Sequence, residues 1–373
     1  MCYSAHPRGR RPRVNAPGGN LNQAKTMVDL EYVRDKVVLI TGAAGTIGGA
    51  LAERLLPVAR AVRCLDHAET ELFFLHQKLG HLGSMSPQLG DIRDLDRLRF
   101  AMTGVDVVFH TAALKHVGLG EYNPFEVVQT NLQGLNNIIR GALDMEVDRV
   151  IFTSSDKSVN PTNVMGASKM MGERLVIAAN EIRGRKRTRF GAVRFGNVIG
   201  SRGSVVPIFA GQLLRGESLT ITHDEMTRYI MTIDEAASLV IEAGARMRGG
   251  EIFVTKMRAV LIRDLAAVMA EALGKKKYDV VRTGLRPGEK LYEELITAEE
   301  APRTLDLERL LMVTPATTSS DVSRPLLEDH AEAPRVTKEW NSAKDTLMTR
   351  AEIATYLTEH KILEPFTTPG ALT

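Results

Sequence analysis

The sequence predicts an α/β protein: a doubly wound parallel sheet with helices on both faces, and a smaller mixed α/β lobe over its carboxyl edge. Three observations carry this. Short apolar runs alternate with helix-length stretches from Asp35 to Asn197, the pattern of a parallel sheet wrapped by helices. A glycine-spaced turn joins the first run to the first helix. Ionisable side chains directly follow a later run, at the sheet edge where open α/β folds place their chemistry.

In chain order, residues 1–28 are rich in Arg, Pro, Gly and Asn without periodicity, and read as a flexible basic tail. Residues 36–40 read as a buried strand, followed by the turn TGAAGTIGG and a helix over 49–56. A second strand at 61–65 ends on Asp66. Further strands are expected near Gln88 and at 105–109, 149–152 and 190–194, with helices at 94–102, 121–143 and 163–183. This main domain spans 29–200, with some later segments returning to it. Beyond it lie helices at 205–215, 233–246 and 261–273 and a strand at 251–255, a second lobe over 201–312. Residues 313–373 form a wrap and a last helix: 314–335, rich in Ser, Thr, Pro and Asp, as a loop or surface wrap, a helix at 350–357, and a loose end of about eight residues.

Composition narrows the function. The chain has 373 residues, 44% apolar and 25% charged, with a net charge of +3. Arg8, Arg10, Arg11, Arg13 and Lys25 lie in the tail, so the folded body is near neutral, against a nucleic-acid-binding face. Cys2 and Cys64 have neither disulfide nor metal-ligand spacing, no metal site is expected, and a reducing compartment fits. No apolar run approaches the roughly 18 residues of a membrane span, and no apolar segment follows the N-terminal basic residues. A cytoplasmic protein without membrane insertion is expected.

Gly42, Gly45 and Gly48 form G-x-x-G-x-x-G between a strand and a helix. Glycines there permit a tight turn and let backbone approach a pyrophosphate at the helix N-terminus. Asp66 ends the next strand, 18 residues after Gly48, where an acid meets a ribose diol. This favours NAD over NADP, although Arg63 beside it leaves the second open. Asp91 follows the third strand, where it either meets the adenine or caps the next helix.

Past the strand at 149–152, Asp156 and Lys157 stand side by side, with Lys169 on the following helix. An amine acts as a base once its pKa is lowered, and a carboxyl as an acid once its pKa is raised; burial does both.

These motifs resemble the extended short-chain dehydrogenase/reductases, whose nucleotide-binding domain is of the Rossmann type. More narrowly, SSDKSVNPTNVMGASK (154–169), AALKHV (112–117), MTRYIMT (226–232) and LRPGEKLYEEL (285–295) resemble the UDP-N-acetylglucosamine 4,6-dehydratases of polysaccharide biosynthesis. The resemblance covers about residues 30 to 312, with a weaker echo at EWNS (339–342) and the last helix.

It implies tightly bound NAD and a UDP-N-acetylhexosamine substrate. NAD takes a hydride from C4, Lys157 removes the C5 proton, Asp156 protonates the departing C6 hydroxyl, and the hydride returns to C6 as C5 is reprotonated, giving a 4-keto-6-deoxy sugar nucleotide. The resemblance also places Thr46, Ile47, Ile92, Ala112, Ala113, Lys115, Asn131 and Lys169 beside the cofactor. Asn197, Arg228 and Arg286 become candidates for the diphosphate, whose oxygens suit the guanidinium fork. Glu289 is the candidate for the uridine ribose, and Lys115, Arg202 and Ser204 frame the sugar.

One departure stands out. The superfamily tyrosine four residues before the helix lysine is Met165 here, which moves no proton. Ser155, Asp156 or a water then carries the C4 proton, and the resemblance leans towards retention at C5. The rival readings are a UDP-sugar 4-epimerase of the same fold and a non-catalytic NAD-binding scaffold or sensor. Apolar faces on the helices at 121–143 and 163–183 suggest a homodimer or higher homo-oligomer.

Overall fold

The computed structural model describes residues 29–316 and 328–367. The tail expected over 1–28, the middle of the expected wrap and the final six residues lie outside the described residues.

The first strand, β1 (Val37–Thr41), is buried along its whole length. Its side chains alternate between two cores, Val38 and Ile40 on one face and Val37 and Leu39 on the other, as strand periodicity requires. It starts one residue later than expected, at Val37, and Lys36 before it is exposed, its amine reaching Asp106. Then follow α1 (Thr46–Leu55), β2 (Ala61–Asp66), α2 (Glu69–Leu79), β3 (Met85–Leu89), α3 (Leu95–Met102) and β4 (Val107–His110).

The helix expected over 121–143 is broken. It begins earlier, as α4 (Val117–Tyr122), stops at Asn123 (φ −129°, ψ 55°), and restarts as α5 (Pro124–Val127). A residue before proline is pushed out of the helical region, while proline itself suits a first helical position. A wider π-type turn, Val128–Gln133, then leads into α6 (Gly134–Asp144). The main unit continues with β5 (Arg149–Thr153), α7 (Val164–Ile182) and β6 (Arg189–Arg194).

The second half holds β7 (Asn197–Val198), α8 (Val205–Arg215), β8 (Leu219–Ile221), β9 (Thr227–Met231), α9 (Ile233–Arg246), β10 (Ile252–Thr255), β11 (Arg258–Leu261) and α10 (Ile262–Ala272). After these come β12 (Val280–Arg282), β13 (Glu294–Ile296), β14 (Thr304–Leu307), β15 (Leu310–Val313), β16 (Trp340–Asn341) and α11 (Arg350–Glu359). A short helical turn at Glu364–Thr367 occupies part of the end expected to be loose.

Among the described residues one nine-stranded sheet dominates, in the order β14-β15-β10-β6-β5-β4-β1-β2-β3. From β3 to β10 all neighbours are parallel, and β15 and β14 add an antiparallel edge. Helices α1, α2 and α9 cover one face, and α3, α6 and α7 the other. Strand order reverses between β1 and β4, which opens a crevice at their carboxyl ends. A third core joins α8, α10 and α11 around β8, β9 and β11. No helix among the described residues is long and apolar enough to cross a membrane.

Candidate active site

The crevice has a wall made of backbone. Gly42 has φ +70°, and a Cβ there would lie 2.6 Å from the Ala112 amide nitrogen. A Cβ on Gly48 would come within 2.3 Å of the Gly42 carbonyl. Neither position admits another residue. Gly45 is the N-cap of α1 with no side-chain bond across it, so the first amides of the helix, at Thr46 and Ile47, carry the positive end of its dipole towards the crevice. The Ala112 backbone, two residues past β4 and followed by Ala113, lies directly against Gly42.

Asp66 is buried and ties this wall together: Oδ2 accepts from the Ala44 amide at 3.0 Å and Oδ1 from the Ala68 amide at 3.0 Å. Arg63 turns the other way and donates to the carbonyls of Ala101 and Thr103, both at 2.7 Å. Asp91 is engaged by the Arg93 guanidinium at 2.7 and 2.9 Å, which holds its carboxyl below the usual range. It does not cap α3; Asp94 does, accepting from the Arg97 amide at 2.9 Å. The Ile92 side chain is buried against Gly134.

The other wall is made of side chains. At the end of β5, Ser155 is extended and leads into a tight turn, Asp156–Ser158. Ser155 Oγ donates to Asp156 Oδ1 at 2.6 Å, and Lys157 Nζ donates to the same oxygen at 3.0 Å. The Lys157 amine also lies 3.4 Å from Glu293 and 3.5 Å from Asn197. Asp156 is wholly buried, and its Oδ2 has no hydrogen-bond partner among the described residues.

The expectation of a lysine lowered by burial is corrected at Lys157. Burial works against its ammonium, but Asp156 and Glu293 together outweigh burial and hold its pKa above the ordinary value. Burial instead lowers Lys169, to about 8, and Lys115. The Lys169 amine donates to the Thr153 carbonyl at 2.8 Å and lies 4.7 Å from the centre of the Phe152 ring. Met165 is buried one turn earlier on α7. Asn131, in the π-type turn, bonds both backbone groups of Leu114 and the Ser168 hydroxyl, at 2.8 to 3.0 Å.

A cavity of about 510 Å³ is lined by Lys157, Asn197, Arg228, Arg286, Glu289 and Glu293, and also by His116 to Leu119 and Tyr122. Arg228 is buried and donates to the carbonyls of Thr227 and Lys290, both at 2.8 Å, beside Glu289 and Glu293. Arg286 is exposed, and its backbone amide donates to Glu289. Three expected sugar contacts fall outside the cavity lining. Lys115 donates to the Arg202 carbonyl at 3.0 Å, and the Arg202 guanidinium reaches the Ala44 carbonyl in the glycine turn. Ser204, at the start of α8, has a buried hydroxyl with no partner among the described residues.

Sequence reasoning missed two features. Glu293 stands beside Glu294 and four residues after Glu289, and spacing alone does not rank them. Arg194, buried at the end of β6, pairs with Glu173 at 2.7 Å and Glu300 at 2.9 Å. Glu173 also accepts from Ser154 and Ser158 at 2.6 and 2.8 Å, so this ion cluster fastens the Asp156 turn to the segment beyond β13. Removing one partner of such a buried pair costs about 3–5 kcal/mol.

The model of a family described as "polysaccharide biosynthesis protein" matches residues 38–315. An uncharacterized membrane protein of Methanocaldococcus jannaschii is 45% identical over 83% of this chain and 94% of its own length. A UDP-N-acetylglucosamine 4,6-dehydratase (inverting) of Campylobacter jejuni is 38% identical over 75% of this chain and 83% of its own. A UDP-glucose 4-epimerase of Rickettsia typhi is also 38% identical, over 73% and 81%. Among solved structures, Pen from Bacillus thuringiensis superposes with a TM-score of 0.82 at 36% identity, covering 89% of this chain and 99% of that one.

Proposed function

The chain belongs to the polysaccharide biosynthesis protein family, and from that premise we propose that it is an NAD-dependent 4,6-dehydratase acting on a UDP-N-acetylhexosamine, with UDP-N-acetylglucosamine as the first substrate to try. The observation that carries the reading is the contact of Asp156 with Lys157 at the end of β5, with the Lys157 side chain lining a cavity that also holds Arg228, Arg286 and Glu289.

The glycine cradle, which a Cβ at Gly42 or Gly48 would fill, and the buried carboxylate of Asp66 fit a dinucleotide. The first amides of α1 would hold its pyrophosphate and Asp66 its ribose diol. The turning away of Arg63 supports NAD over NADP. Bound NAD supplies the acceptance of a hydride from C4 and its return to C6.

The chain's own groups move protons. As found, the Asp156–Lys157 contact is an ion pair. Shifting one proton across its 3.0 Å hydrogen bond yields a neutral amine and a protonated carboxyl. Those are the base for C5 and the acid for the departing C6 hydroxyl. Met165 moves no proton, and Ser155, bonded to Asp156 at 2.6 Å, is the hydroxyl placed to pass the one leaving the C4 oxygen back to Asp156 once the Asp156 proton has gone to the departing hydroxyl. The proton Lys157 takes from C5 returns to C5 at the end. Lys169 would hold the nicotinamide ribose of the bound dinucleotide. Arg286 and Arg228 serve the diphosphate and Glu289 the uridine ribose.

The Rickettsia relative's name favours a second reading, a UDP-sugar 4-epimerase, which needs no base at C5. Incubation with UDP-N-acetylglucosamine separates the two. A dehydratase gives a product lighter by one water, an epimerase an isomer of unchanged mass, and a binding protein no turnover. Proton NMR of the product reads the configuration at C5. Leu119, Tyr122, Phe125 and Met171 expose apolar surface on α4, α5 and α7, which supports pairing of two copies there. Light scattering would measure it.

A further inference from the structure

Dehydration as proposed leaves one buried carboxylate in the cavity without a task. Glu293 is 2% exposed, its Oε1 lies 3.4 Å from Lys157 Nζ and 3.6 Å from Arg228 Nε, and its Oε2 has no hydrogen-bond partner among the described residues. Its backbone is gripped at both ends by Ser342: the Glu293 amide donates to Ser342 Oγ at 2.9 Å, and the Ser342 amide donates to the Glu293 carbonyl at 2.9 Å. The Ser342 hydroxyl is bonded in turn to Thr227, next to Arg228, at 2.8 Å. Antiparallel pairing of β13 with β16, Glu294 opposite Asn341, joins the two stretches next to this contact, with a bulge between Glu294 and Ile296. A carboxylate this deep is costly unless it serves a cation, and here three segments of chain converge to keep it against one.

We propose that Glu293 is a positioning residue of the proton-handling couple: it faces Asp156 across the Lys157 amine, holds that amine at the cavity floor and sets the pH at which it gives up its proton. This rests on the dehydratase reading and extends it. The charged groups facing Lys157 are Asp156 and Glu293, which favour its ammonium, and Arg228, which opposes it; Glu293 faces Lys157, Asp156, Arg228 and Lys290. With both carboxylates ionised, the amine has two counter-charges for its one proton. Removing the charge of Glu293 therefore destabilises the ammonium, and the neutral amine appears at lower pH.

The test is peptide-level acetylation of Lys157 across a pH series, on the full chain, in wild type, Glu293→Gln and Glu293→Asp. Acetylation follows the neutral amine. Its midpoint should fall by about one pH unit or more in Glu293→Gln, about tenfold faster labelling below the midpoint, and return towards wild type in Glu293→Asp. The acid limb of kcat/KM for UDP-N-acetylglucosamine should move the same way, with KM little changed. Ser342→Ala, which removes the hydroxyl that accepts from the Glu293 amide while leaving the main-chain bond to the Glu293 carbonyl and every charge in place, should give a smaller fall and decides the matter if Glu293→Gln does not fold. Labelling curves that superimpose on wild type overturn the inference even while wild type still releases water from the sugar. A wild type that releases none overturns the dehydratase reading whatever the curves do.

Discussion

The two walls of the crevice are built of different material. The wall between β1 and α1 is backbone: a left-handed glycine, a second glycine under its carbonyl, and the free amides of a helix start, with one carboxylate across them. The wall at the end of β5 is side chains from Ser155, Asp156, Lys157, Asn197, Arg228 and Glu293, held by Arg194 beneath and Ser342 behind. A wall of backbone fails when an atom is added. A wall of charges fails when an atom is removed. Binding of the dinucleotide and chemistry on the sugar should therefore be separable by mutation.

The largest effect is expected at the second wall. Lys157→Met should lower the rate of water loss by about a thousandfold, within the range for a positioned base, and leave NAD affinity as it was; product mass and an NAD titration read the two. A parallel loss of NAD binding would break the comparison. Gly42→Ala should do the reverse. With φ at +70° and the Ala112 nitrogen 2.6 Å away, it should cost about 1–3 kcal/mol of stability in a thermal melt and weaken NAD more than about tenfold. Asp66→Asn keeps the shape and loses the charge. It should cost about tenfold in NAD affinity, roughly the worth of one hydrogen bond to a charged group, and narrow the preference over NADP.

The last effect sharpens the difference between the two lysines. Lys169 has a folded pKa near 8 against an ordinary value of 10.5. Between those values the unfolded chain binds the extra proton, so its contribution to stability rises with pH and is least below 8. The stability of wild type minus that of Lys169→Met should climb by at most about 1.4 kcal/mol per pH unit through that window, measured by urea unfolding. Lys157, shifted upward, should give no such climb there.

The same contrast explains what was legible in the chain. The glycine turn and Asp66 are local, spaced by a strand and a turn, and periodicity exposes them. So do α8 and α9, whose ends match the reading residue for residue. Asp156 and Lys157 showed because they directly follow a buried strand. Glu293 did not, since its meaning comes from contacts with Lys157 and Ser342, and no local pattern encodes a partner so far along the chain. Strands of two or three residues, such as β7, β13 and β16, are too short to display a period at all. The break at Asn123 was written in Pro124, but the apolar pattern runs on through it and hides the interruption.

Ser342 grips Glu293 by both backbone groups, so the last strand pair behaves as a splint for the reaction centre. Chimaeras that exchange C-terminal segments between relatives should stay active only when 285–296 and 339–342 travel as one block. Swapping either piece alone would leave a folded, NAD-loaded protein whose lysine answers to the wrong acidity.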